Sequence, residues 1–334
     1  MATFKEIRGQ TIKKYTTNPT NPLAGQMWYN NTTGTLKVYT MGVAAWASAP
    51  TLGTARYQLG GAGASNTSAV VFGGYNPPAG YTSTENYDGS SWTASGVLPV
   101  QKRGMGTAGT QTAALSSAGF RGAPPPYVVN TTEEYDGSNW TAAPVVGTAR
   151  GFNGGCGTQT AALLIGGATD VPAWVLDLVN VEEYNGTAWT AATSLPIKQR
   201  QTRVVGTTSA AAGGGGLDSP GTGVVAPLSY DGSSWTAAPA LNVLRYGGAA
   251  SGVQTSVLVF GGGTPPGPQV ANTELYDGSS WATDATLGNV IFNNASSISA
   301  PSSNTLSAGG GAPATNRTEV YSKPTIEVQT ITTS

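Results

Sequence analysis

The chain has 334 residues, a net charge of −1 and only 10% charged residues, so it has neither the basic balance of a nucleic-acid binder nor an acidic tail. Histidine is absent and Cys156 is the single cysteine. Those absences exclude an internal disulfide framework, multi-cysteine zinc sites, imidazole–metal chemistry and the Ser-His-Asp and Cys-His nucleophile systems, and no cofactor is expected. No window approaches the ~20 apolar residues of a membrane span. The opening MATFKEIRGQTIKKY lacks the apolar run of a secretion signal, so synthesis in a cytoplasm without membrane insertion is expected.

Residues 1–34 do not repeat. Thr3 to Tyr15 reads as strand, with Phe4, Ile7, Ile12 and Tyr15 as anchors and Lys5, Arg8, Lys13 and Lys14 set against Glu6. Such a segment has too little apolar surface to fold alone, so a partner subunit is expected to order it. The stretch PTNPLAGQMWYNNTTGTLKVYT then follows, with Pro22, Gly25, Gln26, Trp28, Tyr29, Asn30, Gly34, Leu36 and Lys37 as its marks. It resembles a segment common near the start of bacteriophage tail-fibre and other virion structural proteins. The resemblance implies an attachment arm over 1–34 that docks other virion proteins, with Phe4, Ile7, Arg8, Ile12, Tyr15, Trp28 and Tyr29 as docking residues.

From there the chain repeats. Trp46, Trp92, Trp140, Trp189, Trp235 and Trp281 are spaced by 46, 48, 49, 46 and 46 residues, and Tyr39, Tyr87, Tyr135, Tyr184, Tyr230, Tyr276 and Tyr321 run alongside. A turn-rich β-type period of this length predicts propeller blades. Residues 150–192 give the pattern: ARGFNGGCG, TQTAALLIGG, NVEEYNG and TAWTAA read as four short strands A to D. The Asp-Gly or Asn-Gly between C and D is a hairpin signal, because glycine supplies positive φ at little cost. Its flanking aromatics are expected to fill the widening wedge between blades.

An apolar run ending in Gly-Gly, then a Tyr, then a Trp five residues later is similar to the kelch repeat, over residues ~50–322. Two copies depart from it: SAGFRGA near Arg121 replaces the glycine pair, and AAAGGGGLD is poor in large apolar residues. The expected fold is all-β, a six-bladed kelch-like β-propeller over 35–322 with a tail at 323–334. The last copy ends at Tyr321 without a Trp, so a strand near 43–49 is expected to close the final blade. TLKVYT around Tyr39 is left as a competitor for that blade's third place.

In a propeller the repeated YDGSSW and GTQT turns share one face. The loops between B and C share the other, and they differ in every copy and are Pro-rich. Ligand contact is therefore expected on the second face, through Tyr75, Tyr81, Tyr127 and Trp174 and through Arg56, Arg103, Arg150, Arg203 and Arg245, with Asn289 in the sixth copy. A Glu recurs two residues before the strand C Tyr, at Glu85, Glu133, Glu182, Glu274 and Glu319, with Leu228 in the fourth copy. An Arg–Glu pair pinning A to C is the structural alternative to ligand binding.

Asp88, Asp136, Asp231 and Asp277 fall in separate blades and would not converge on a metal; Cys156 lacks a base partner. The expectation is a non-enzymatic virion protein of the tail or tail fibre, homo-oligomeric in the particle, contacting a host-surface glycan or protein and no nucleic acid. A capsid decoration or head fibre, and a glycan-processing enzyme on a propeller scaffold, are the alternatives.

Overall fold

The computed structural model describes residues 12–19, 25–41, 43–122, 126–169, 176–218, 226–311, 313–324 and 326–331. Among these the chain is all-β, without a helix, and built of many small four-stranded sheets, an arrangement consistent with a β-propeller-like fold. It divides into two compact units, Ala45–Ser322 and Met1–Ala44 with Lys323–Ser334.

The larger unit holds six antiparallel sheets, each with strands a to d in order across it. The first is Gly60–Ser65, Ser68–Phe72, Thr84–Tyr87 and Trp92–Ser95. The second is Gly106–Thr110, Ala113–Phe120, Val128–Tyr135 and Trp140–Ala143. The third is Gly154–Thr158, Ala161–Ile165, Val181–Tyr184 and Trp189–Ala192. The fourth is Arg203–Thr207, Ala210–Gly214, Leu228–Tyr230 and Trp235–Ala237. The fifth is Ala249–Val253, Ser256–Phe260, Thr273–Tyr276 and Trp281–Asp284. In the sixth, Ala295–Ser296, Asn304–Ala308 and Thr318–Ser322 are completed by Ala45–Ala49, with Trp46 opposite Tyr321.

Neighbouring sheets cover both faces of strand b, which is why it reads as a continuous apolar run: Val70, Val71 and Phe72, or Val257 to Phe260, are all buried. Each strand a lies beside the strand a of the next sheet, and the sixth lies beside the first.

Three repeated devices join the sheets. Just before each strand a, one residue takes a left-handed φ of 53–61°: Gln58, Gly104, Phe152, Gln201, Gly247 and Asn293. Their backbones form a closed circuit. Gly104 N donates to Gln58 O, Phe152 to Gly104, Gln201 to Phe152, Gly247 to Gln201, Asn293 to Gly247 and Gln58 to Asn293, at 2.6–3.1 Å.

The glycine pairs form the second device. Gly74, Gly119, Gly167, Gly216, Gly262 and Gly310 donate N–H to the carbonyls of Lys102, Arg150, Gln199, Arg245, Ile291 and Arg56 in the following sheet. A Cβ on the first glycine of the third pair, Gly166, would lie 2.5 Å from Gln199 O, so that position requires glycine. In the second sheet the first place is taken by Ala118 at φ 54°, which accounts for the irregular SAGFRGA.

The tryptophans form the third. The indoles of Trp46, Trp140 and Trp189 donate to Thr273, Thr84 and Thr132 of the preceding sheet at 2.9–3.0 Å. Trp92 does the same to Thr318 at 3.1 Å. Tyr and Trp of each c–d hairpin pack against each other within their own sheet, as in Tyr87–Trp92 at 4.9 Å and Tyr230–Trp235 at 4.6 Å.

The smaller unit is one sheet. Lys13–Tyr15 pairs parallel with Met27–Asn30, which pairs antiparallel with Thr35–Met41, and that strand pairs with Ile326–Ile331. TLKVYT therefore belongs to this sheet and not to the sixth repeat sheet, and the stretch after Ser322 supplies its edge strand. Trp28 is fully buried and packs on Tyr39 at 4.4 Å, so its side chain is core. Asn30 accepts the N–H groups of Thr32 and Thr33, and Gly34 turns with φ 64°, so the WYNNTTG stretch is a hairpin. Tyr15 and Tyr29 are half-buried and Ile12 is exposed; Phe4, Ile7 and Arg8 lie outside the described residues.

Candidate functional site

Antiparallel order puts the a–b and c–d turns at one end of the six-sheet unit and the b–c and d–a loops at the other. At the turn end the repeated side chains are spent on the fold. Asp88 Oδ1 accepts the N–H of Ser90 and of Ser91 at 2.7 Å, and these bonds lower its carboxyl to about 2. Asp136, Asp231 and Asp277 repeat the arrangement, and Asn185 makes it without a charge. The GTQT glutamines brace neighbouring sheets: Gln111 Nε2 donates to Ala69 O and Tyr87 O, and Gln159 to Ala114 O and Tyr135 O. Burial pushes the Cys156 thiol up to about 12, leaving it an inert packed group.

At the loop end the position two residues before each left-handed residue is buried. It is Arg56, Lys102, Arg150, Gln199, Arg245 and Ile291 in the six copies. Its cations pair with the recurrent glutamates: Arg56 with Glu85 at 2.7 Å, Arg150 with Glu182 at 3.0 Å, Lys102 with Glu133, and Arg245 with Glu274. Desolvation lowers the pKa of Arg56, Lys102, Arg150 and Arg245, and the facing carboxylates counter it. Arg56, Arg150 and Arg245 are at most 1% exposed and present no surface to a ligand.

This register differs from the one legible in the sequence. Arg103 and Arg203 are not equivalents of Arg56, and Gln199 stands opposite Leu228. The copy that lacks the acid therefore also lacks the cation. In the sixth copy Ile291 holds the position and Glu319 instead accepts Gly288 N at 2.7 Å and Asn289 Nδ2 at 3.3 Å.

Arg203 occupies the first place of strand a, where the other sheets have Gly60, Gly106, Gly154, Ala249 and Ala295. Its side chain lies in the space ringed by the a strands and donates from Nε to Gly248 O at 2.6 Å. A cavity of about 30 Å³ remains beside it, lined in part by Thr107, Asn153 and Ser296. Burial lowers its pKa to about 10, so it stays charged at neutral pH.

With Lys102 holding Glu133, Arg103 is left half-buried among the loops. Its guanidinium carbon sits 3.8 Å from the Tyr75 ring centre and 4.5 Å from that of Phe120. Arg103 and Phe120 exchange backbone hydrogen bonds at 2.8 and 2.9 Å, which fixes the stack. Tyr127 lies parallel to Phe120, with centres 6.3 Å apart. These groups line a cleft of about 290 Å³ between the loops of the first and second sheets, together with Gln101 and Arg121. Among the described residues Arg103 has no carboxylate partner, whereas Arg200, at the equivalent position two sheets on, pairs with Asp177 at 2.6 Å. A second cavity of about 240 Å³ is lined by Gln58, Phe152, Arg200 and Gln201.

The structure thus brings together three of the residues expected to contact ligand: Tyr75, Arg103 and Tyr127. Tyr81 is half-buried and donates its backbone N–H to Gly74 O, and Trp174 lies outside the described residues. Sequence reasoning missed Gln101, Phe120 and Arg121. Aligning the copies on the residue before the strand a glycine, rather than on arginine, would have paired Lys102 with Arg56 and shown Arg103 to be surplus. No protein-family model matches the chain, and comparison with curated proteins returns no match.

Proposed function

We propose that the chain is a non-enzymatic surface protein of a bacteriophage virion, a tail or tail-fibre component. The six sheets act as the blades of one six-bladed kelch-like propeller. The unit formed by the N-terminal segment anchors the chain to other virion proteins, and the loop end contacts host-surface glycan or protein, with several copies per particle.

The observation that carries this reading is the division of labour between the two ends of the six-sheet unit. The recurrent Asp, Gln, Trp and buried Arg side chains are consumed in holding sheets together. The Arg103 cleft lies among the loops that differ between copies, where binding surfaces are set on a rigid scaffold. The likeness of the GQMWYN stretch to phage fibre proteins supplies the particle.

A chain beginning at Ala45 keeps the strand that completes the sixth sheet and loses the anchoring unit. Such a chain is expected to fold and to be missing from purified particles, as read by antibody labelling and mass spectrometry. Normal incorporation of the shortened chain would reject the anchor, and absence of the intact chain from particles would reject the virion role.

A further inference from the structure

We propose that the Arg103 cleft binds the carboxylate of an acidic sugar unit, a uronate-type residue within a polysaccharide. The inference rests on the reading of the loop end as the contacting surface and names the chemistry of what it takes.

The Arg103 guanidinium carbon lies 3.8 Å from the Tyr75 ring centre and 4.5 Å from that of Phe120, so two aromatic rings pack against the group. In-plane N–H pairs are the geometry that receives a planar carboxylate through two parallel hydrogen bonds. Arg56, Lys102, Arg150, Arg200 and Arg245 each hold an acid, and Arg103 faces none among the described residues. Among the described residues the cleft lining contains no Asp or Glu. A cation desolvated by aromatic rings and lacking a counter-charge favours an incoming anion.

The remaining walls select a sugar over a peptide. Among the described residues the lining has no Leu, Ile or Val to receive an aliphatic side chain; its apolar side chains are Tyr75, Phe120, Tyr127 and Pro78. Flat aromatic faces suit the C–H face of a pyranose, and Gln101 and Arg121 supply hydrogen-bond groups for its hydroxyls. The volume of about 290 Å³ is at the small end of the ~300–1,000 Å³ ligand range, the size for one or two rings.

Calorimetric titration of the full chain with oligogalacturonate, alginate and hyaluronan oligomers tests this, with methyl-esterified oligogalacturonate and inorganic phosphate as controls. At least one acidic oligomer is expected to bind, with the ester at least tenfold weaker. Arg103→Met should abolish binding at an unchanged unfolding temperature, and Arg103→Lys should lose about tenfold because a point charge cannot form the fork. Tyr127→Ala, a loop change, gives an independent loss. The inference is overturned by equal binding of ester and acid, by binding that survives Arg103→Met and Tyr127→Ala, by phosphate binding without any acidic oligomer, or by no binding at all.

Adsorption of particles carrying Arg103→Met separates this from the broader reading. Oligomer binding with unimpaired adsorption keeps the site and rejects host attachment through it. Impaired adsorption without oligomer binding rejects the carboxylate and keeps attachment.

Discussion

Arg56 Nη2 lies 2.7 Å from Glu85 Oε1 with the arginine side chain fully shut from solvent, and the same contact ties strand c to the segment before strand a in four sheets. Glu85 also accepts Gly53 N at 2.7 Å, so one carboxylate holds both a cation and the d–a loop. Removing one partner leaves a buried charge uncompensated. Glu85→Ala is therefore expected to cost about 3–5 kcal/mol in denaturant unfolding. The fourth sheet provides the neutral solution, Gln199 opposite Leu228. Arg56→Gln combined with Glu85→Leu should cost less than Glu85→Ala alone; a larger loss would mean the charge pair itself is required.

The turn aspartates set an acid limit. The carboxyls of Asp88 and Asp277 are lowered from 3.8 to about 2 by hydrogen bonds from Ser residues of their own turns. A lowered folded-state pKa gives stability that is present above the unfolded value and is lost as pH falls through the folded one. The thermal midpoint should thus fall between about pH 4 and pH 2. Asn185 makes the same turn without titrating. Changing Asp88, Asp136, Asp231 and Asp277 to Asn should flatten the curve in that window and lower the neutral-pH midpoint toward the parent's acid value, because the stability tied to the ionised carboxylates is lost.

The glycine pairs and their one exception make opposite predictions. Gly309 has φ 62° and a Cβ there would meet Arg56 O at 2.7 Å. Gly309→Ala should cost at least about 1–3 kcal/mol from backbone strain. Ala118 already holds φ 54° in the corresponding place. Ala118→Gly relieves that strain, loses one methyl and gains unfolded-state entropy, so its stability should stay within about 1 kcal/mol of the parent. A large loss at Ala118 would show that its methyl packing outweighs the backbone cost.

The strand Ala45–Ala49 covers the edge of Thr318–Ser322 and carries the Trp46 indole to Thr273 at 3.0 Å. A chain starting at Thr51 exposes that edge, and exposed edges recruit other strands. It should self-associate in light scattering, whereas a chain starting at Ala45 should remain monodisperse under the same conditions. Equal behaviour of the two would remove the closing role of this strand.

Much of the fold is legible because it is local. The period, the Asp-Gly hairpins, the Tyr–Trp pairs and the glycine doublets are set by φ preference and side-chain alternation, and each repeats where the sequence repeats. Trp46 could be matched to the last copy because Tyr321 lacks its tryptophan. The candidate site is legible only in part. Tyr75, Arg103 and Tyr127 are visible as exposed-type residues in variable loops, but Phe120 reads as the end of a core strand and Arg121 as a fault in a repeat.

The sequence by itself determined the repeating β unit and its turn chemistry, since these depend on residues a few positions apart. Which basic residue is buried and which faces solvent was decided only by the tertiary structure. Lys102 and Arg103 are adjacent, and both look able to meet Glu133. The closed circuit of backbone hydrogen bonds through Gln58, Gly104 and Phe152 fixes the register of the second sheet against its neighbours. That register turns Lys102 inward to Glu133 and sets Arg103 against the Tyr75 and Phe120 rings. A one-residue shift exchanges the two roles, and only contacts between sheets far apart in the chain carry the energy that forbids it.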